Sequence, residues 1–436
     1  MSAMNTLLDK IDARTARVGV IGLGYVGLPL AVEFAHAGFE VVGIDLSAEK
    51  VDAINRGASY IPDISGAVVA ALRTAGKLSA TTDYAAISGL DAISICVPTP
   101  LRKTRDPDMS YVISAAEDVA QHLQKGALIV LESTTYPGTT EEIVLPRILN
   151  NGFVVGEDIF VAFSPERIDP GNANYGVRNT PKVIGGMTPA CGRVAVALYS
   201  TAVENVVAVS STRAAEMVKL LENTFRAVNI GLINEIAIMC DKLGVDVWEV
   251  IEAAKSKPFG FMPFYPGPGL GGHCIPIDPL YLSWKLKTLN YNARFIELAD
   301  EINTNMPRYV VTKIAEALND DRKPVRGSNV LVLGVAYKRD VDDVRESPAI
   351  DIIQLLQQQG AVVTYNDPLV DTLSFDEVRM ESAPLDTEAL QAADCIVIVT
   401  DHSVYNWETI LSAAQLVVDT RNAVKRSHGG ARVVKL

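Results

Sequence analysis

A glycine-rich turn between a short apolar strand and an amphipathic helix restricts the folds open to this chain more than any other segment. Residues 17–22 (RVGVIG) are typical of a buried strand, and GLGYVG at 22–27 leads into an amphipathic helix over 28–37. A second apolar strand follows at 40–45 (EVVGID). Strand, turn, helix and strand in this order form a βαβ unit, which predicts a parallel sheet in an α/β domain.

The three glycines of this turn have the spacing and the flanking elements of a dinucleotide site. Gly22 allows the tight turn, Gly24 lets the backbone approach a pyrophosphate, and Gly27 lets helix and strand pack closely. The pyrophosphate then lies at the helix N-terminus. Asp45 ends the second strand, where a carboxylate accepts ribose hydroxyls and repels a 2′-phosphate, so NAD is favoured over NADP. The alternative is a glycine turn in an α/β domain that binds no nucleotide.

The α/β pattern occurs twice, at the two ends of the chain. We place the first domain at residues 1–205 and a second, Rossmann-like domain at residues 316–436, with a polar linker containing Pro and Gly at 319–328. The first strand of the second domain is followed by GVAYK instead of GxGxxG, so we expect no second dinucleotide bound in the same way. The other strand-like segments lie at 91–97, 127–131, 158–163, 329–334, 361–367, 394–399 and 416–420.

Between these domains lies a region without strand patterns, at residues 206–315. Its proline-free segment 211–243 carries apolar residues at helical spacing, which predicts a long helix with one buried face in an all-helical domain. More helix is expected at 247–254 and 293–303. The apolar residues of the long helix are Ala214, Met217, Val218, Leu221, Phe225, Val228 and Leu232.

Charge and cysteine usage narrow the function classes. The formal net charge of −13 over 436 residues argues against nucleic acid as a main partner, because phosphate binding needs a basic surface. The charged first sixteen residues do not resemble a signal peptide, and no run of about 18 apolar residues could span a bilayer. The five cysteines form no CxxC pair and the histidines are scattered, so neither a disulfide framework nor a metal site is expected. A reducing cytoplasm fits this pattern.

Cys274 is the cysteine whose surroundings favour chemistry. It lies in PGPGLGGHCIPIDP, where four glycines remove side chains from the approach to it. Pro276 suits a first helical turn, and a cysteine near a helix N-terminus favours the thiolate. Asp278 follows four residues later, whereas the adjacent His273 is expected to point elsewhere. The alternative is a buried structural cysteine in a loop.

The long helix also carries a polar stripe, which has two interpretations. Lys219 and Asn223 lie one turn apart, so an ammonium and an amide could converge on one oxygen and stabilise an oxyanion. The alternative is a solvated polar face. The stripe consists of Thr212, Glu216, Lys219, Asn223 and Arg226.

Two polar loops follow strands of the first domain, at 132–140 (ESTTYPGTT) and 163–171 (FSPERIDPG). In open α/β sheets the ligand crevice lies outside the carboxyl ends of the strands. Hydroxyl and carboxylate groups in these loops could therefore reach a cofactor or substrate, although ordinary loop chemistry explains each loop equally well.

Taken together, the motifs closely resemble those of the UDP-glucose/GDP-mannose dehydrogenase family, in the family's order, from about residue 17 to residue 422. The resemblance implies an NAD-binding Rossmann domain, a central helical domain carrying the dimer interface, and a Rossmann-like domain for a UDP-sugar. It also implies a homodimer or higher homo-oligomer. The motifs are GLGYVGLPLA, SICVPTP, STTYPGTT, SPER with PGN, KLLENTFRAVNIGLINE, GPGLGGHCIPIDP, GVAYKRDVDDVRESPA and VVDTRN.

Roles for individual residues follow from this resemblance. Cys274 matches the nucleophile, Lys219 and Asn223 the pair that positions the oxyanion and water, and Asp278 the carboxylate of the cysteine motif. Thr134 and Glu166 match groups near the reacting C6 and its water. The implied cofactor-binding residues are Gly22, Gly24, Tyr25, Val26, Gly27, Asp45, Val97, Thr99, Ser133 and Arg345. The implied substrate-binding residues are Arg167, Lys338 and Arg421.

The chain departs from the UDP-glucose branch at two positions, with Ile277 in place of a lysine and Pro170 in place of a second glutamate. The cysteine motif instead resembles the branch that oxidises UDP-N-acetylhexosamines. We therefore expect UDP-N-acetylglucosamine as substrate, with UDP-N-acetylmannosamine next and UDP-glucose as a further alternative. The expected product is a uronic acid for bacterial surface polysaccharide.

The resemblance implies a four-electron oxidation. A thiolate at Cys274 traps the first-formed aldehyde as a thiohemiacetal, whose oxidation gives a thioester that water hydrolyses. Two rivals remain at this point. One is a one-step, hydroxyacid-type dehydrogenase that uses Lys219 and Asn223 while Cys274 is structural, and the other is a cofactor-sensing protein without catalysis.

Overall fold

The computed structural model describes residues 2–102, 106–149, 152–168, 174–272, 274–375, 378–425 and 430–436. The chain forms two compact units. The N-terminal unit comprises Met1–Glu222 and Trp284–Asn290, and the C-terminal unit comprises Asn223–Ser283 and Tyr291–Leu436.

The described part of the N-terminal unit is built on an eight-stranded sheet. Its strands are β1 (Arg17–Ile21), β2 (Glu40–Ile44), β3 (Leu78–Thr81), β4 (Ala92–Ile95), β5 (Leu128–Leu131), β6 (Phe160–Phe163), β7 (Lys182–Gly186) and β8 (Val206–Val209). They lie in the order β3-β2-β1-β4-β5-β6-β7-β8. Strands β1 to β6 are parallel, β7 runs antiparallel to β6, and β8 is parallel to β7. The predicted parallel sheet is confirmed, and its strand order changes direction between β1 and β4, where doubly wound folds bind ligands.

Helices cover both faces of this sheet, which is why its central strands are almost continuously apolar. Side-chain caps from Ser2, Ser47, Ser65 and Thr188 begin four of these helices. Phe34 and Tyr199 meet edge to face in the core, with ring centroids 5.3 Å apart. The helices are α1 (Ala3–Asp12), α2 (Gly27–His36), α3 (Ala48–Asn55), α4 (Gly66–Thr74), α5 (Ser110–His122), α6 (Leu145–Leu149), α7 (Pro189–Tyr199) and α8 (Thr212–Leu243).

The sheet extends beyond the boundary predicted at residue 205. Strand β8 pairs with β7 over Lys182–Gly185 and Val206–Val209, so it belongs to the first sheet. The sequence of β8 (VVAV) lies directly before the long helix, and its four residues gave too short a pattern to separate it from the helical region. The first α/β layer therefore continues to residue 209.

Helix α8 is confirmed in extent, but its apolar and polar faces are the reverse of the prediction. Met217, Leu221, Phe225 and Leu232 are between 37% and 60% exposed within the single chain. The polar residues Thr212, Glu216, Lys219 and Asn223 are instead all buried. Helical periodicity identifies two faces but does not say which of them meets the rest of the chain.

The described C-terminal unit contains a parallel five-stranded sheet with helices on both faces. The helices beyond α8 are α9 (Val247–Lys255), α10 (Asp278–Lys287, in this unit up to Ser283), α11 (Arg294–Asp320), α12 (Pro348–Gln358), α13 (Thr387–Ala392) and α14 (Trp407–Ala413). The strands are β9 (Asn329–Leu333), β10 (Val362–Asn366), β11 (Thr372–Phe375), β12 (Val378–Glu381), β13 (Cys395–Ile398), β14 (Leu416–Asp419) and β15 (Arg432–Lys435). The sheet order is β10-β9-β13-β14-β15, and β11 and β12 form a separate antiparallel pair.

Helix α11 crosses the predicted boundary between the central and last domains. It runs without interruption from Arg294 to Asp320, through the boundary at 315/316 and into the first two residues of the predicted linker at 319–328. The buried residues Val310, Ile314 and Leu318 pack in the core of the second sheet, which explains why the helix continues. Polarity at 319–328 therefore marks the surface-exposed end of a helix and the turn after it.

The turn after β9 is closed by a side chain of its own sheet. Asp367 follows β10, and its Oδ2 accepts hydrogen bonds from the N–H groups of Val335 and Ala336 at 2.7 and 3.1 Å. The same oxygen lies 3.0 Å from Nε2 of the buried His402. Asp45 accepts the N–H of Leu23 after β1 in a similar way, so the contact is common to both sheets. The expectation that the turn after β9 binds no second dinucleotide stays a prediction.

Candidate active site

The glycine turn after β1 has the geometry expected of a dinucleotide site. Gly22 has a φ of +88°, and an added Cβ would lie 2.6 Å from a carbonyl oxygen of the segment after β4. A Cβ on Gly27 would lie 1.8 Å from the carbonyl oxygen of Gly22, so α2 and β1 approach too closely for a side chain. At Gly24, in contrast, no atom of the described residues lies within 4 Å of an added Cβ. Tyr25 and Val26 complete the turn, and this open space at the start of α2 fits a pyrophosphate.

Asp45 lies where the sequence places it, directly after β2. Its Oδ2 accepts the N–H of Leu23 at 2.7 Å and lies 3.2 Å from Nζ of Lys50. Its Oδ1 accepts the N–H of Ser47 at 2.9 Å. A carboxylate has about four acceptor positions, so the buried Asp45 keeps capacity for a ribose hydroxyl. Lys50 is a neighbour that the sequence argument did not anticipate.

The other predicted cofactor residues of this unit follow the carboxyl ends of β4 and β5. Val97 and Thr99 come after β4, and Ser133 comes after β5, with its hydroxyl donating to the carbonyl of Val97 at 2.7 Å. The backbone nitrogen of Val97 lies 3.3 Å from the position of an added Cβ on Gly22. The structure therefore brings Val97 and Ser133 together with the glycine turn, at the point where the strand order changes direction, whereas the cofactor role of Thr99 stays a prediction.

The polar face of α8 holds the loop that follows β5. Nζ of Lys219 donates a hydrogen bond to Oγ1 of Thr134. One turn earlier, the carboxylate of Glu216 accepts the N–H of Gly138 at 2.5 Å, and the N–H and hydroxyl of Thr140 at 2.9 and 2.7 Å. Burial raises the pKa of Glu216, while these hydrogen bonds oppose the shift. Four residues of the predicted stripe are therefore buried and not solvated, whereas the fifth, Arg226, is exposed.

Glu166 follows β6 and is engaged through both carboxylate oxygens. Its Oε1 accepts the N–H groups of Arg167 and Ile168 at 2.7 and 2.8 Å, and its Oε2 accepts Nζ of Lys182 at 3.1 Å. Burial favours the neutral acid, but Lys182 and the Ile168 N–H outweigh it and hold the pKa of Glu166 below its ordinary value. Nζ of Lys182 also contacts Oε2 of the buried Glu132 at 2.5 Å.

In the C-terminal unit, Cys274 lies one turn ahead of α10, as predicted. Its carbonyl accepts the N–H of Asp278 at 2.8 Å and of Ile277 at 3.2 Å, the bonds of a helix start. Asn223 donates from Nδ2 to Oδ2 of Asp278 at 2.6 Å, and both side chains are buried. Cys274 is partly exposed, whereas the other four cysteines are buried. His273 lies outside the described residues.

The glycines before Cys274 serve close packing, which the sequence argument did not foresee. A Cβ on Gly271 would lie 2.7 Å from Cβ of Tyr337, and one on Gly272 would lie 2.7 to 3.1 Å from the Tyr337 ring. A Cβ on Gly267 would lie 2.8 Å from a guanidinium nitrogen of Arg421. The glycines therefore admit groups from the last α/β segment of the chain to the cysteine loop.

A cavity of about 630 Å³ in the C-terminal unit contains Arg421, Arg339, Trp248 and Tyr265 in its lining. The rings of Trp248 and Tyr265 are stacked, with centroids 6.2 Å apart, and the buried Nε1 of Trp248 has no hydrogen-bond partner among the residues that the structure describes. Burial and the nearby Arg339 lower the pKa of Arg421 to about 10, while Asp419 opposes the shift. Four acidic residues line the cavity beside four basic ones, and Arg339 pairs with Asp401. The aromatic faces and the Arg421 guanidinium are the groups of this lining that suit a nucleoside diphosphate.

Three further predicted binding residues are placed less simply. Arg167 is paired with Glu222 through Nε and NH2, at 3.2 and 2.6 Å, and NH1 donates to a carbonyl at 2.6 Å. Arg345 pairs with Asp343 at 2.6 Å, and its carbonyl accepts the N–H of Gly272 at 3.0 Å. Lys338 lies half-buried in the segment after β9. The ligand roles of these three residues stay predictions.

Sequence reasoning missed several groups that the structure adds to these sites. Glu132 lies in the polar loop that was identified, but no pattern distinguished it from the hydroxyl residues beside it. Glu216 was recognised only as part of the stripe on α8. Lys182 had no signal, because its position depends on β7 running against the rest of the sheet.

The C-terminal unit offers a thiol with a buried amide and a buried carboxylate, and the N-terminal unit offers buried ammonium and carboxylate groups. Among the described residues, no three His, Cys, Asp or Glu side chains are grouped to hold a metal ion. No helix in the described ranges is both long enough and apolar enough to cross a membrane. The N-terminal unit presents a dinucleotide turn, and the C-terminal unit presents Cys274 with Asn223 and Asp278.

Comparison with known proteins covers nearly the whole chain. Residues 16–203, 213–305 and 331–426 match the NAD binding, central and UDP binding domains of the UDP-glucose/GDP-mannose dehydrogenase family. The NDP-N-acetyl-D-galactosaminuronic acid dehydrogenase of Ralstonia nicotianae is 38% identical over 96% of this chain and 98% of its own. The UDP-N-acetyl-D-mannosamine dehydrogenase of Escherichia coli K12 is 38% identical over 93% and 98%. The solved UDP-D-ManNAc dehydrogenase of Pyrococcus horikoshii superposes with a TM-score of 0.88 at 35% identity, over 96% and 98%.

Proposed function

Because this chain belongs to the UDP-glucose/GDP-mannose dehydrogenase family, as an NAD-dependent UDP-sugar dehydrogenase of its N-acetylhexosamine branch, we propose that it oxidises C6 of a UDP-N-acetylhexosamine to a carboxylate through a thioester on Cys274. The observation that carries this proposal is the arrangement at the start of α10. Cys274 there is bonded through its carbonyl to Asp278, whose carboxylate accepts Asn223. A one-step dehydrogenase has no use for a partly exposed thiol in that position.

The reaction divides into two oxidations and a hydrolysis. NAD held at the glycine turn after β1 would supply the hydride acceptor, with a fresh molecule for the second oxidation. The C6 hydroxyl first loses a proton and C6 a hydride, giving an aldehyde, and the thiolate of Cys274 adds to the aldehyde carbon. The thiohemiacetal loses the second hydride to become a thioester, and water then adds, the carbon–sulfur bond breaks, and carboxylate and thiolate are released. Covalent capture keeps the aldehyde bound between the oxidations.

We assign the remaining predicted residues to charge and water. Lys219 and Asn223, one turn apart on α8, stabilise the negative oxygen that forms at each addition. Thr134, which accepts a hydrogen bond from Lys219, is placed to contact the C6 oxygen. Asp278 is assigned to proton transfer, and Glu166 is assigned to the attacking water. For the nucleotide, the cavity that contains Arg421 supports binding of the uridine diphosphate there. Lys338 is assigned to the substrate and Arg345 to the cofactor.

The proposed preferred substrate is UDP-N-acetylglucosamine, and the second candidate is UDP-N-acetylmannosamine. The first follows from the resemblance of the cysteine motif, with Ile277 where the UDP-glucose branch usually has lysine. The second is favoured by relatives that are named UDP-N-acetyl-D-mannosamine dehydrogenase. Other relatives are named for N-acetyl-D-galactosaminuronic acid, so the galactose epimer is also compared below. We place the reaction in the cytoplasm and assign its product to bacterial surface polysaccharide.

A homodimer is proposed from the exposed face of α8. Phe225, Leu232, Met239 and Leu243 recur at seven-, seven- and four-residue steps and are 45% to 75% exposed. Such a continuous apolar stripe is typical of a protein interface. A second copy of the chain would cover it through the same residues on both subunits.

The deciding experiment counts NADH per sugar with purified protein. UDP-N-acetylglucosamine, UDP-N-acetylmannosamine, UDP-N-acetylgalactosamine and UDP-glucose are compared under limiting sugar. The expected result is two NADH for each molecule of the preferred sugar and, with Cys274→Ala, loss of the second oxidation. One NADH per sugar with normal activity in Cys274→Ala would replace the covalent mechanism with a one-step oxidation. A preference for UDP-glucose would remove the substrate assignment alone.

A further inference from the structure

A buried cluster of three charged side chains, Glu132, Glu166 and Lys182, lies beside the predicted catalytic groups of the N-terminal unit. All three are at most 8% exposed. Nζ of Lys182 contacts Oε2 of Glu132 at 2.5 Å and Oε2 of Glu166 at 3.1 Å. Burying one ammonium with two carboxylates costs free energy unless every charge is hydrogen-bonded, so we expect the cluster to have a function.

The reversed strand β7 brings Lys182 to this place. Glu132 and Glu166 follow the carboxyl ends of β5 and β6. Strand β7 is antiparallel to β6, so β7 begins at this same end of the sheet. Phe163 of β6 lies opposite Gly185 of β7. Continuing this register by three residues places Glu166 opposite Lys182, the first residue of β7. Because β7 is reversed, its first residue, Lys182, lies at the end of the sheet where the parallel strands have their last residues.

Hydrogen bonds from the described residues engage both carboxylate oxygens of Glu166. Its Oε1 accepts two backbone N–H groups and its Oε2 accepts Lys182. Lys182 is held in turn by Glu132, whose Oε1 accepts the hydroxyl of the buried Tyr199. The hydroxyl of Tyr199 lies 2.9 Å from Oγ of Ser94 in the sheet. Glu132 is therefore anchored independently of Glu166.

We infer that Lys182 is a positioning residue that keeps Glu166 an ionised hydrogen-bond acceptor throughout the reaction, with Glu132 as the second carboxylate that holds Lys182 in place. The inference deepens the proposed function and rests on it. Glu166 then orients the attacking water by accepting its hydrogen bond and does not deliver protons. Proton delivery falls to other groups.

The charges around Glu166 come from several elements. Lys182 lies on β7, Glu132 after β5, Cys96 after β4, and Lys219 on α8. Lys219 also favours the ionised form of Glu166, whereas Glu132 and a Cys96 thiolate would oppose it. Burial raises the pKa of Cys96 well above its ordinary value, so that thiol stays neutral. Lys182 is the nearest of these cations and donates directly to Glu166.

Replacing Lys182 with methionine tests this arrangement. Two buried carboxylates would then remain with no ammonium between them, and both burial and like charge would raise the pKa of Glu166. In Lys182→Met, the acid limb of the pH–rate profile for the second oxidation and hydrolysis should move by at least about one pH unit toward neutrality. Lys182→Arg should restore the position of the limb.

Glu132→Gln is the matched control. In this variant Glu166 is the one carboxylate of the cluster that still pairs with Lys182, so the acid limb of the pH–rate profile should stay in place or move to lower pH. A lower rate in Lys182→Met with an unmoved limb would show that Lys182 is merely structural, and an upward shift in Glu132→Gln would overturn the role given to Glu132. Should Lys182→Met fail to fold, the Glu132→Gln and Lys182→Arg profiles still decide between these outcomes.

A second readout is independent of turnover. Burial raises the pKa of Glu132, so Glu132 has to be removed before a new protonated carboxyl can be assigned to Glu166. Isotope-edited infrared spectroscopy near neutral pH should detect one more protonated carboxyl in Lys182→Met/Glu132→Gln than in Glu132→Gln, and that band should disappear when Glu166→Gln is added. Its absence from Lys182→Met/Glu132→Gln would overturn the inference. A parent enzyme that oxidises no UDP-sugar but gives these infrared results would remove the proposed function while leaving the ionisation of Glu166 explained.

Discussion

Gly272→Ala should displace the cysteine loop through a single methyl group. Gly272 has a φ of +87°, which costs an L-residue roughly 1–2 kcal/mol. The added Cβ would also lie 2.7, 2.9 and 3.1 Å from three ring atoms of Tyr337, an overpacking of about 1–3 kcal/mol. The free energy of unfolding should therefore fall by about 2–5 kcal/mol in total. Since Gly272 lies two residues before Cys274, oxidation should slow as well.

Urea unfolding and the rate of iodoacetamide alkylation at Cys274 measure the two effects. Tyr337→Ala removes the obstructing ring, so the double variant should recover the overpacking component and leave the cost of the positive φ. Gly267→Ala is the matched control, because Gly267 has no positive φ and its Cβ would meet only the guanidinium of Arg421, which donates to the carbonyl of Val399 at 2.8 Å. It should cost only the overpacking component, about 1 kcal/mol. If Gly272→Ala unfolds like the parent, or if Tyr337→Ala recovers nothing, the packing argument is wrong.

Three further predictions concern the cofactor, the nucleotide and the dimer. Asp45→Ala should raise kcat/KM with NADP relative to NAD, because Lys50 is then left beside the 2′-phosphate, and Lys50→Met should cancel the gain; an unchanged ratio would contradict the role of Asp45. Arg421→Ala should weaken UDP binding in calorimetry by about tenfold or more, since charge-assisted hydrogen bonds contribute about 1.5–3 kcal/mol. Its melting temperature without ligand should change little, because burial and Arg339 already disfavour the charge, and equal affinity would exclude Arg421 from the site. Leu232→Glu should shift sedimentation toward the monomer, and a parent that is monomeric at all concentrations would refute the dimer.

The elements that the sequence predicts well are those specified by local chemistry. The glycine turn at 22–27 needs positive φ and close approach at fixed positions, and the structure places Gly22 and Gly27 accordingly. Helix α8 was located because apolar spacing persists over 32 residues without proline. The start of α10 near Cys274 followed from Pro276 and the residues after it.

The features that could not be predicted depend on contacts between distant segments. Whether the apolar face of α8 is buried depends on what covers it, and within one chain its polar face packs instead. The position of Lys182 depends on the direction of β7, which no short pattern reports. The glycines before Cys274 owe their constraint partly to Tyr337, some 65 residues further along the chain. These features are set by tertiary contacts, which the local periodicity of the sequence does not report.

The cysteine segment is fixed at its beginning, middle and end by bonds within the C-terminal unit. The N–H of Gly267 donates to Oδ1 of the buried Asn234 at 2.9 Å, and the N–H of Gly272 donates to the carbonyl of Arg345 at 3.0 Å. Asp278 accepts Asn223 at 2.6 Å. In the proposed reaction, Cys274 has to add to the aldehyde, hold it through the second oxidation and release a carboxylate, so it needs one position through all three steps. Anchoring the segment in the folded protein removes the entropic cost of ordering it at each step, which is how a positioned thiol gains rate over one on a mobile loop.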